Sequence, residues 1–563
     1  MNRPPTALVA LVLALVAACR PAPGPGGSGE DAGKVHDGAV GEVGAADLVD
    51  AGMQDADTAE LADSAVDGDA LADSDAPADA IDGDQGTGDD IDAAVLFDTV
   101  DALDLVDDAG AEVSIDAQVP PDVPQSWTVL DGCAVPQAPP LSPECAAAAC
   151  AAGEICVGNG YCVPDGPMDL PGGLTHTLVE GIATRADGSW ALTTRTGGPA
   201  QWDVKLVAFN TPAPIPSFIL DVPHAPGTWN SASAVQPLAN GGWLVVGMQY
   251  TVTTWDLVYW SWPVDSAGNL DPQGPYAANQ NKLNQNGKTP DGGTPTGLIA
   301  LRDGNYLMAW YGAFGGPTSD PISVRVRYLS PKGIPMGQEV VVAPPVWPAM
   351  GYAPGIAPLD DGAAFVVWHA NQKKGTKSRI RGTILPPLAT GTGTAFDLSP
   401  SAFALETVPS ITTWQDGAAL VGWKAGTNPA GGCAIRTKLQ FLQGPPPAPQ
   451  GQLSEVDFDA EGTYRFASAL AVLDNKRAVA VWHNMDSKMQ SIYLTRYYRG
   501  DDVVDCEKTD VAGPLLANEQ AVRTEPVVAS LSHGSFVVAW STDFLAGPDQ
   551  SPNYVVRLRY FAY

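Results

Sequence analysis

The chain has 563 residues, a formal net charge of −34 and a sequence pI near 4.2. The acidity is local: residues 20–131 hold 29 Asp or Glu against two basic side chains, Arg20 and Lys34, and the chain from Gly132 onward carries about −8. The sequence therefore offers no basic footprint for nucleic acid, and its acidity says nothing about a cationic ligand on the folded part.

The chain opens with Arg3 and an apolar run from Ala7 to Ala18, too short for a membrane span and of the form of a secretion signal. Leu15-Val16-Ala17-Ala18-Cys19 resembles a bacterial lipobox. That resemblance implies a signal peptide over 1–19, lipidation of Cys19 and a membrane partner through the lipid anchor. It implies several acyl chains, as stable anchoring requires. Arg20, standing where Asp would signal inner-membrane retention, implies the outer membrane. A plain cleaved signal ending in Cys is the other reading.

Residues 20–131 are rich in Asp, Ala and Gly and nearly free of aromatics. Such a segment cannot bury enough apolar surface to offset its chain entropy and is expected to be a disordered tether. Its r.m.s. span would be about 55–65 Å, before charge repulsion stretches it.

Cys133, Cys145, Cys150, Cys156 and Cys162 follow closely. In an exported chain they predict a small disulfide-rich module over 132–165. The run from Cys145 to Val163 resembles short EGF-like cysteine-rich segments. Zinc is the rival reading, but there is no C-x-x-C and no His among them, so no metal is expected. Cys433 and Cys506 lie further on, and with Cys19 set aside seven thiols remain as disulfide candidates. One of them must stay free or pair with another chain.

From residue 166 a nine-residue hairpin core recurs seven times. Its turn residues are Gly188, Gly241, Gly304, Gly362, Gly417, Lys476 and Gly534, spaced by 53, 63, 58, 55, 59 and 58 residues. Seven residues before each turn stands Gly181, Ala234, Gly297, Gly355, Ser410, Ala469 or Val527; six after it stands Thr194, Gly247, Trp310, Trp368, Trp423, Trp482 or Trp540. The Asp-Gly and Asn-Gly pairs predict two-residue hairpins with positive φ angles. The second strand reads as almost continuously apolar, as in Phe365-Val366-Val367-Trp368, and is expected to end at its Trp. A third strand alternates, as in Val324-Arg325-Val326-Arg327-Tyr328, and a fourth is weaker.

Four antiparallel strands repeated seven times predict an all-β, seven-bladed β-propeller over 166–563. The repeats resemble the G-x-F-V-V-x-W propeller repeats of secreted bacterial proteins. An open solenoid is the rival, but it would need atypical end caps. The last repeat stops after its third strand at Tyr563, so a segment near 163–173 is expected to supply the missing outer strand and close the ring.

Catalytic motifs are not evident: the sequence has no H-E-x-x-H, G-x-S-x-G or P-loop, and no cofactor is expected. Candidate ligand contacts are Tyr311, His369, Lys424, His483 and Ser541, which follow the anchor Trp in five repeats and are expected at one rim. The pairs Arg325/Arg327, Arg379/Arg381 and Arg557/Arg559 read either as a basic stripe for acidic glycans or as a strand face paired with turn aspartates. The chain is thus expected to be a lipoprotein of the bacterial cell envelope, with exposure at the cell surface open, whose propeller binds an unknown protein or polysaccharide ligand. A glycan lyase or hydrolase, or a structural envelope component, is the alternative.

Overall fold

The computed structural model describes most of residues 143–562; residues 1–142, Tyr563 and several stretches between strands, the longest being 285–296, 313–321 and 545–552, lie outside the described residues. The signal peptide with Cys19, the acidic tether, Cys133, Cys433 and Cys506 therefore fall outside as well.

Among the described residues, seven antiparallel sheets form the blades of a β-propeller. Blade 1 runs Thr177–Thr184, Trp190–Gly198, Gln201–Phe209 and Phe218–Val222 from axis to periphery. Blade 2 begins with Thr228–Pro237, Trp243–Thr251 and Asp256–Val264; blade 3 comprises Gly297–Ala300, Tyr306–Gly312, Ile322–Leu329 and Pro335–Val346. The first three strands of blade 4 are Gly355–Pro358, Ala364–Asn371 and Ser378–Leu385. Those of blade 5 are Leu405–Thr413, Ala419–Thr427 and Ala434–Gln443, and those of blade 6 are Tyr464–Val472, Arg477–Met485 and Gln490–Tyr498. Blade 7 has Val527–Ser530, Phe536–Phe544 and Asn553–Phe561. Its outer strand is Met168–Asp169, from the other end of the chain, so the ring closes as the truncated last repeat demands. Innermost strands touch their neighbours all the way round, blade 7 to blade 1 included.

The small residue early in each innermost strand answers to this crowding. A Cβ on Gly181 would lie 3.1 Å from the Cα of Ala234 in blade 2, and one on Gly355 would lie 3.1 Å from the carbonyl oxygen of Pro409 in blade 5. Bulk is carried instead by the second strand, whose residues Trp310, Trp368, Trp423, Trp482 and Trp540 are at most 1 % exposed. In blades 1 and 2 the late position is Thr194 or Gly247, and the indole sits four residues earlier, at Trp190 or Trp243. Residues four apart share a strand face, so both arrangements fill the same inter-blade layer.

A row of charge runs outward from these anchors. Thr194, Trp310, Trp368, Trp423 and Trp540 pair across the sheet with Lys205, Arg325, Arg381, Lys438 and Arg557. Outer-strand acids meet most of these cations: Asp221 beside Lys205, Glu339 on Arg325, Asp397 on both Arg379 and Arg381, and Asp169 on Arg557. The arginine pairs are therefore largely neutralised in place, chiefly by the fourth strand rather than by turn aspartates. Arg559 differs, donating to the carbonyls of Asp510 and Val511.

Two local expectations change. The hairpin connection spans five residues in six blades, and among the turn pairs Asp187-Gly188, Asn240-Gly241, Asp303-Gly304, Asp361-Gly362 and Asp416-Gly417 only the glycine has positive φ. The Asp or Asn holds the turn through its side chain instead: Asp303 Oδ1 accepts the N–H of Asn305 at 2.9 Å, and Asn240 Oδ1 that of Gly242 at 2.9 Å. Second, the second strand does not end at its Trp but continues for two to four residues in blades 3 to 7.

The cysteine module comprises a short helix, Pro143–Ala147, and a hairpin of Glu154–Val157 with Tyr161–Pro164. Disulfides join Cys145 to Cys156 and Cys150 to Cys162. Val157 and Val163 are fully buried in one cluster with Trp190 and Leu192 of blade 1 and Leu558 and Tyr560 of blade 7. The module is thus part of the propeller's core at the seam where the ring closes.

Candidate functional site

Each blade sends its first hairpin turn to one face of the ring and its connection from second to third strand to the other. The turn face is cross-braced. Arg185 donates to the Gly242 carbonyl and lies 3.9 Å from the Trp243 ring centroid. Arg302 of blade 3 pairs with Asp360 of blade 4 and donates to the carbonyls of Trp414, at 2.7 Å, and Gln415 in blade 5. Arg499 donates to Asp416 at 3.0 Å, and this bond holds the Asp416 carboxyl below its ordinary range. The cysteine module sits here too: Gly158 N–H donates to Ser535 Oγ at 3.2 Å, and Asn159 Oδ1 meets His533 Nε2 at 2.9 Å.

The opposite face is irregular. Its connections from second to third strand have 2, 4, 9, 6, 6, 4 and 8 residues in blades 1 to 7. The innermost strands of blades 1, 2, 5 and 6 carry bulges toward this end, and bulges re-aim side chains. In blade 1 the bulge falls between Val179 and Gly181, at Glu180, whose carboxylate reaches blade 2. There it accepts the Ser233 N–H at 2.8 Å and the Ser233 hydroxyl. Its other oxygen lies 3.3 Å from Arg195 Nε, and Arg195 Nη1 donates to Ser231 Oγ at 2.8 Å. The Arg195 guanidinium covers Trp202 at 4.5 Å from the ring centroid, and the neighbouring Asp203 meets His224 at 2.8 Å. Asn230 accepts from Gln249 at 3.1 Å. Arg195, Trp202, Asp203 and His224 are thus part-exposed side by side, over a buried polar layer of Asn230, Ser231, Ser233 and Gln249 shared by two blades.

The sequence-selected positions are placed differently. Tyr311, His369, His483 and Ser541 are at most 3 % exposed, and only Lys424 is part-exposed. Because the second strand continues past its Trp, the next residue faces the adjacent blade instead of the rim. Tyr311 and His369 meet across blades 3 and 4 with ring centroids 5.9 Å apart, and Ser541 Oγ in blade 7 accepts the Val179 N–H of blade 1 at 2.8 Å. Burial lowers the His369 pKa to about 4, so the ring is neutral at physiological pH. Burial also pushes the Tyr311 hydroxyl up, partly opposed by the backbone of His369. Tyr311 and His369 are brought together, and Ser541 is used, in inter-blade packing rather than at one surface.

Arg195 occupies the same repeat position, directly after Thr194, and its place in the repeat is readable from the sequence. What conceals it is the lack, in its repeat, of the Trp that marks the position elsewhere. Glu180 is hidden by the bulge, which breaks the strand alternation. Among the described residues no three His, Cys, Asp or Glu side chains gather as a metal site, and no helix is long and apolar enough to cross a membrane. A separate cavity of about 50 Å³ lies on the outer part of blade 2, between Pro223, Trp262, Leu270 and Asp271, with room for water only.

No family model matches the chain, and no curated protein matches it. Solved structures similar to it include a Dyadobacter fermentans protein of unknown function, at 11% identity and TM-score 0.41, over 60% of this chain and 97% of that one. A Penicillium chrysogenum alpha-L-arabinanase complexed with arabinobiose is similar at 13% identity and TM-score 0.37, over 60% and 95%. The polysaccharide lyase Uly1 is similar at 11% identity and TM-score 0.40, over 68% and 89%. At these values the likenesses carry no activity or substrate to this chain.

Proposed function

We propose that this protein is a lipid-anchored envelope protein whose propeller binds a polysaccharide on the face of variable connections. The carrying observation is the contrast between the faces: one is locked by cross-blade arginines and the docked module, the other combines connections of 2 to 9 residues with a polar patch spanning two blades. Variable connections on a rigid scaffold are where binding residues concentrate. The part-exposed guanidinium, carboxylate, imidazole and indole of Arg195, Asp203, His224 and Trp202 suit a polyhydroxylated ligand, whose hydroxyls both donate and accept.

A glycan array probed with the full chain, followed by Arg195→Ala and Trp202→Ala, tests the ligand. Retention of a polysaccharide that either substitution weakens at least tenfold supports the reading. Binding only to envelope proteins would replace the ligand class, and turnover of a bound glycan would make the protein an enzyme. The anchor is tested separately by Cys19→Ser, which should move the protein from the membrane fraction to the soluble one.

A further inference from the structure

The closing strand is two residues long, as short as Tyr276–Ala277, Phe396–Asp397, Ala448–Pro449 and Val503–Val504 at the outer edges of blades 2, 4, 5 and 6. Met168 and Asp169 pair with Leu558 and Arg557, and Leu170 N–H adds one bond to the Val556 carbonyl at 2.8 Å. The Arg557 side chain is buried but its partner Asp169 is 61% exposed, and such half-solvated pairs contribute little. Only residues 165–167 separate this strand from the hairpin Glu154–Val157/Tyr161–Pro164, so the hairpin's position sets the strand's position.

That hairpin has two strands of four residues, a size that is marginal in isolation. Its apolar contribution is Val157 and Val163, each fully covered, with Ile155 partly buried against the same cluster. Its turn is held to blade 7 by Gly158 and Asn159, and the rest of its bracing is covalent. Cys156 and Cys162 are cross-strand partners, tied back to Cys145 and Cys150, so each strand is fixed to the preceding segment by its own disulfide. The two bridges differ in degree of access: in Cys145–Cys156 one partner is 7% exposed and the other part-exposed, whereas Cys150 and Cys162 are both part-exposed. Exchange rates depend on access to the attacked sulfur.

We propose that the module is a thiol-reducible clasp on the propeller, in which opening of Cys150–Cys162 by an external dithiol releases the Met168–Asp169 strand and bares the outer edge of blade 7. A thiolate of the dithiol attacks one sulfur, forming a mixed disulfide and expelling the other cysteine as a thiolate. The dithiol's second thiolate then attacks its own mixed-disulfide sulfur and expels the second cysteine. The protein gains two electrons and, as its thiolates reprotonate, two protons; the dithiol becomes a disulfide. The bared strand Asn553–Phe561 then presents unpaired backbone groups, a template for another strand. This proposal is independent of the ligand reading.

Hydrogen exchange read by mass spectrometry on the full chain tests it, across a dithiothreitol titration with alkylation mapping of every cysteine. At the concentration that opens Cys150–Cys162, amides in Met168–Leu170 and Val556–Leu558 should exchange at least tenfold faster. The second strands of blades 3 to 5 should be unchanged. Unaltered exchange at the seam with the bridge open overturns the proposal, as does acceleration spread evenly over all blades. The double variant Cys150→Ser/Cys162→Ser should show the fast seam without reductant. Met168→Pro should reproduce it with both bridges intact, which keeps the test decisive if the serine variant does not accumulate.

Discussion

The two faces of the ring obey opposite rules. On the turn face almost every blade uses the same five-residue connection, and arginines from one blade bind the carbonyls and carboxylates of other blades. On the other face no such uniformity holds, and Glu180 and Arg195 tie blade 1 to Ser233 and Ser231 of blade 2. Between them lies the tryptophan layer that both faces depend on. Uniformity belongs to what every blade must do to stay in the ring; departure from it marks what a single blade is free to do.

The shared layer is where the largest effect is expected. Trp368 is fully buried in a cluster with Tyr311, Val326 and Val366. Trp368→Ala should cost about 3–5 kcal/mol in chemical denaturation, as truncation of a buried aromatic does. A loss below about 1 kcal/mol would mean that the layer, and with it the distinction between faces, is not held by its indoles.

The same layer gives a pH dependence. His369 has a folded pKa of about 4 against an ordinary 6.5, because burial disfavours its charged form. The unfolded chain therefore takes up the proton first as pH falls. The contribution is complete above about 6.5, is lost progressively toward 4 and changes no further below that. The full span corresponds to about 3 kcal/mol. Denaturation of the wild type and His369→Gln at pH 7 and pH 4.5 checks it: the wild type should lose more than the variant. Equal losses would place the titration elsewhere.

The sequence carried this ring unusually far, for a physical reason. Closed propellers impose one spacing on every blade, so small axial residues, turn glycines and anchor tryptophans recur visibly, and even the missing outer strand could be sought near 163–173. The strand that fills it is Met168–Asp169. Less legible was anything that depends on which way a side chain points. Tyr311, His369 and Ser541 look variable because they meet different neighbours across blade gaps, so variation there reflects inter-blade packing, and His483 is buried as well. The bulge at Glu180 shifts the alternation by one residue, and no local motif announces it. The docking of the cysteine module was likewise invisible, since Val157 and Val163 look like ordinary hairpin residues.

A smaller effect sharpens the turn rule. Gly304 has φ +88°, and a Cβ added there would meet nothing within 4 Å, so Gly304→Ala introduces backbone strain without a clash. Its cost should be about 1–2 kcal/mol. Lys476, at the equivalent place in blade 6, is not among the residues with positive φ, and Asp474 Oδ1 accepts the N–H groups of both Lys476 and Arg477. Lys476→Gly should therefore bring no stabilisation. If it does, blade 6 follows the glycine rule after all.

The smallest stability change should come from the face proposed to bind. Arg195 is about a quarter exposed, and removing it leaves Glu180 still held by the Ser233 N–H and hydroxyl. Arg195→Ala should thus cost no more than about 1 kcal/mol, the range of part-exposed ion pairs. Arg302, equally exposed, bonds a carboxylate and two carbonyls in two other blades. Hydrogen bonds from a charged group are worth about 1.5–3 kcal/mol each when well formed, so Arg302→Ala should be the more destabilising of the two. Measured side by side, the pair separates scaffold from site: Arg302→Ala should lower the denaturation midpoint and leave ligand retention intact, while Arg195→Ala should do the reverse. If Arg195→Ala destabilises as much as Arg302→Ala and leaves binding unchanged, the Glu180–Arg195 pair is a brace like those on the turn face, and the binding surface must be sought among the longer connections of blades 3, 4, 5 and 7.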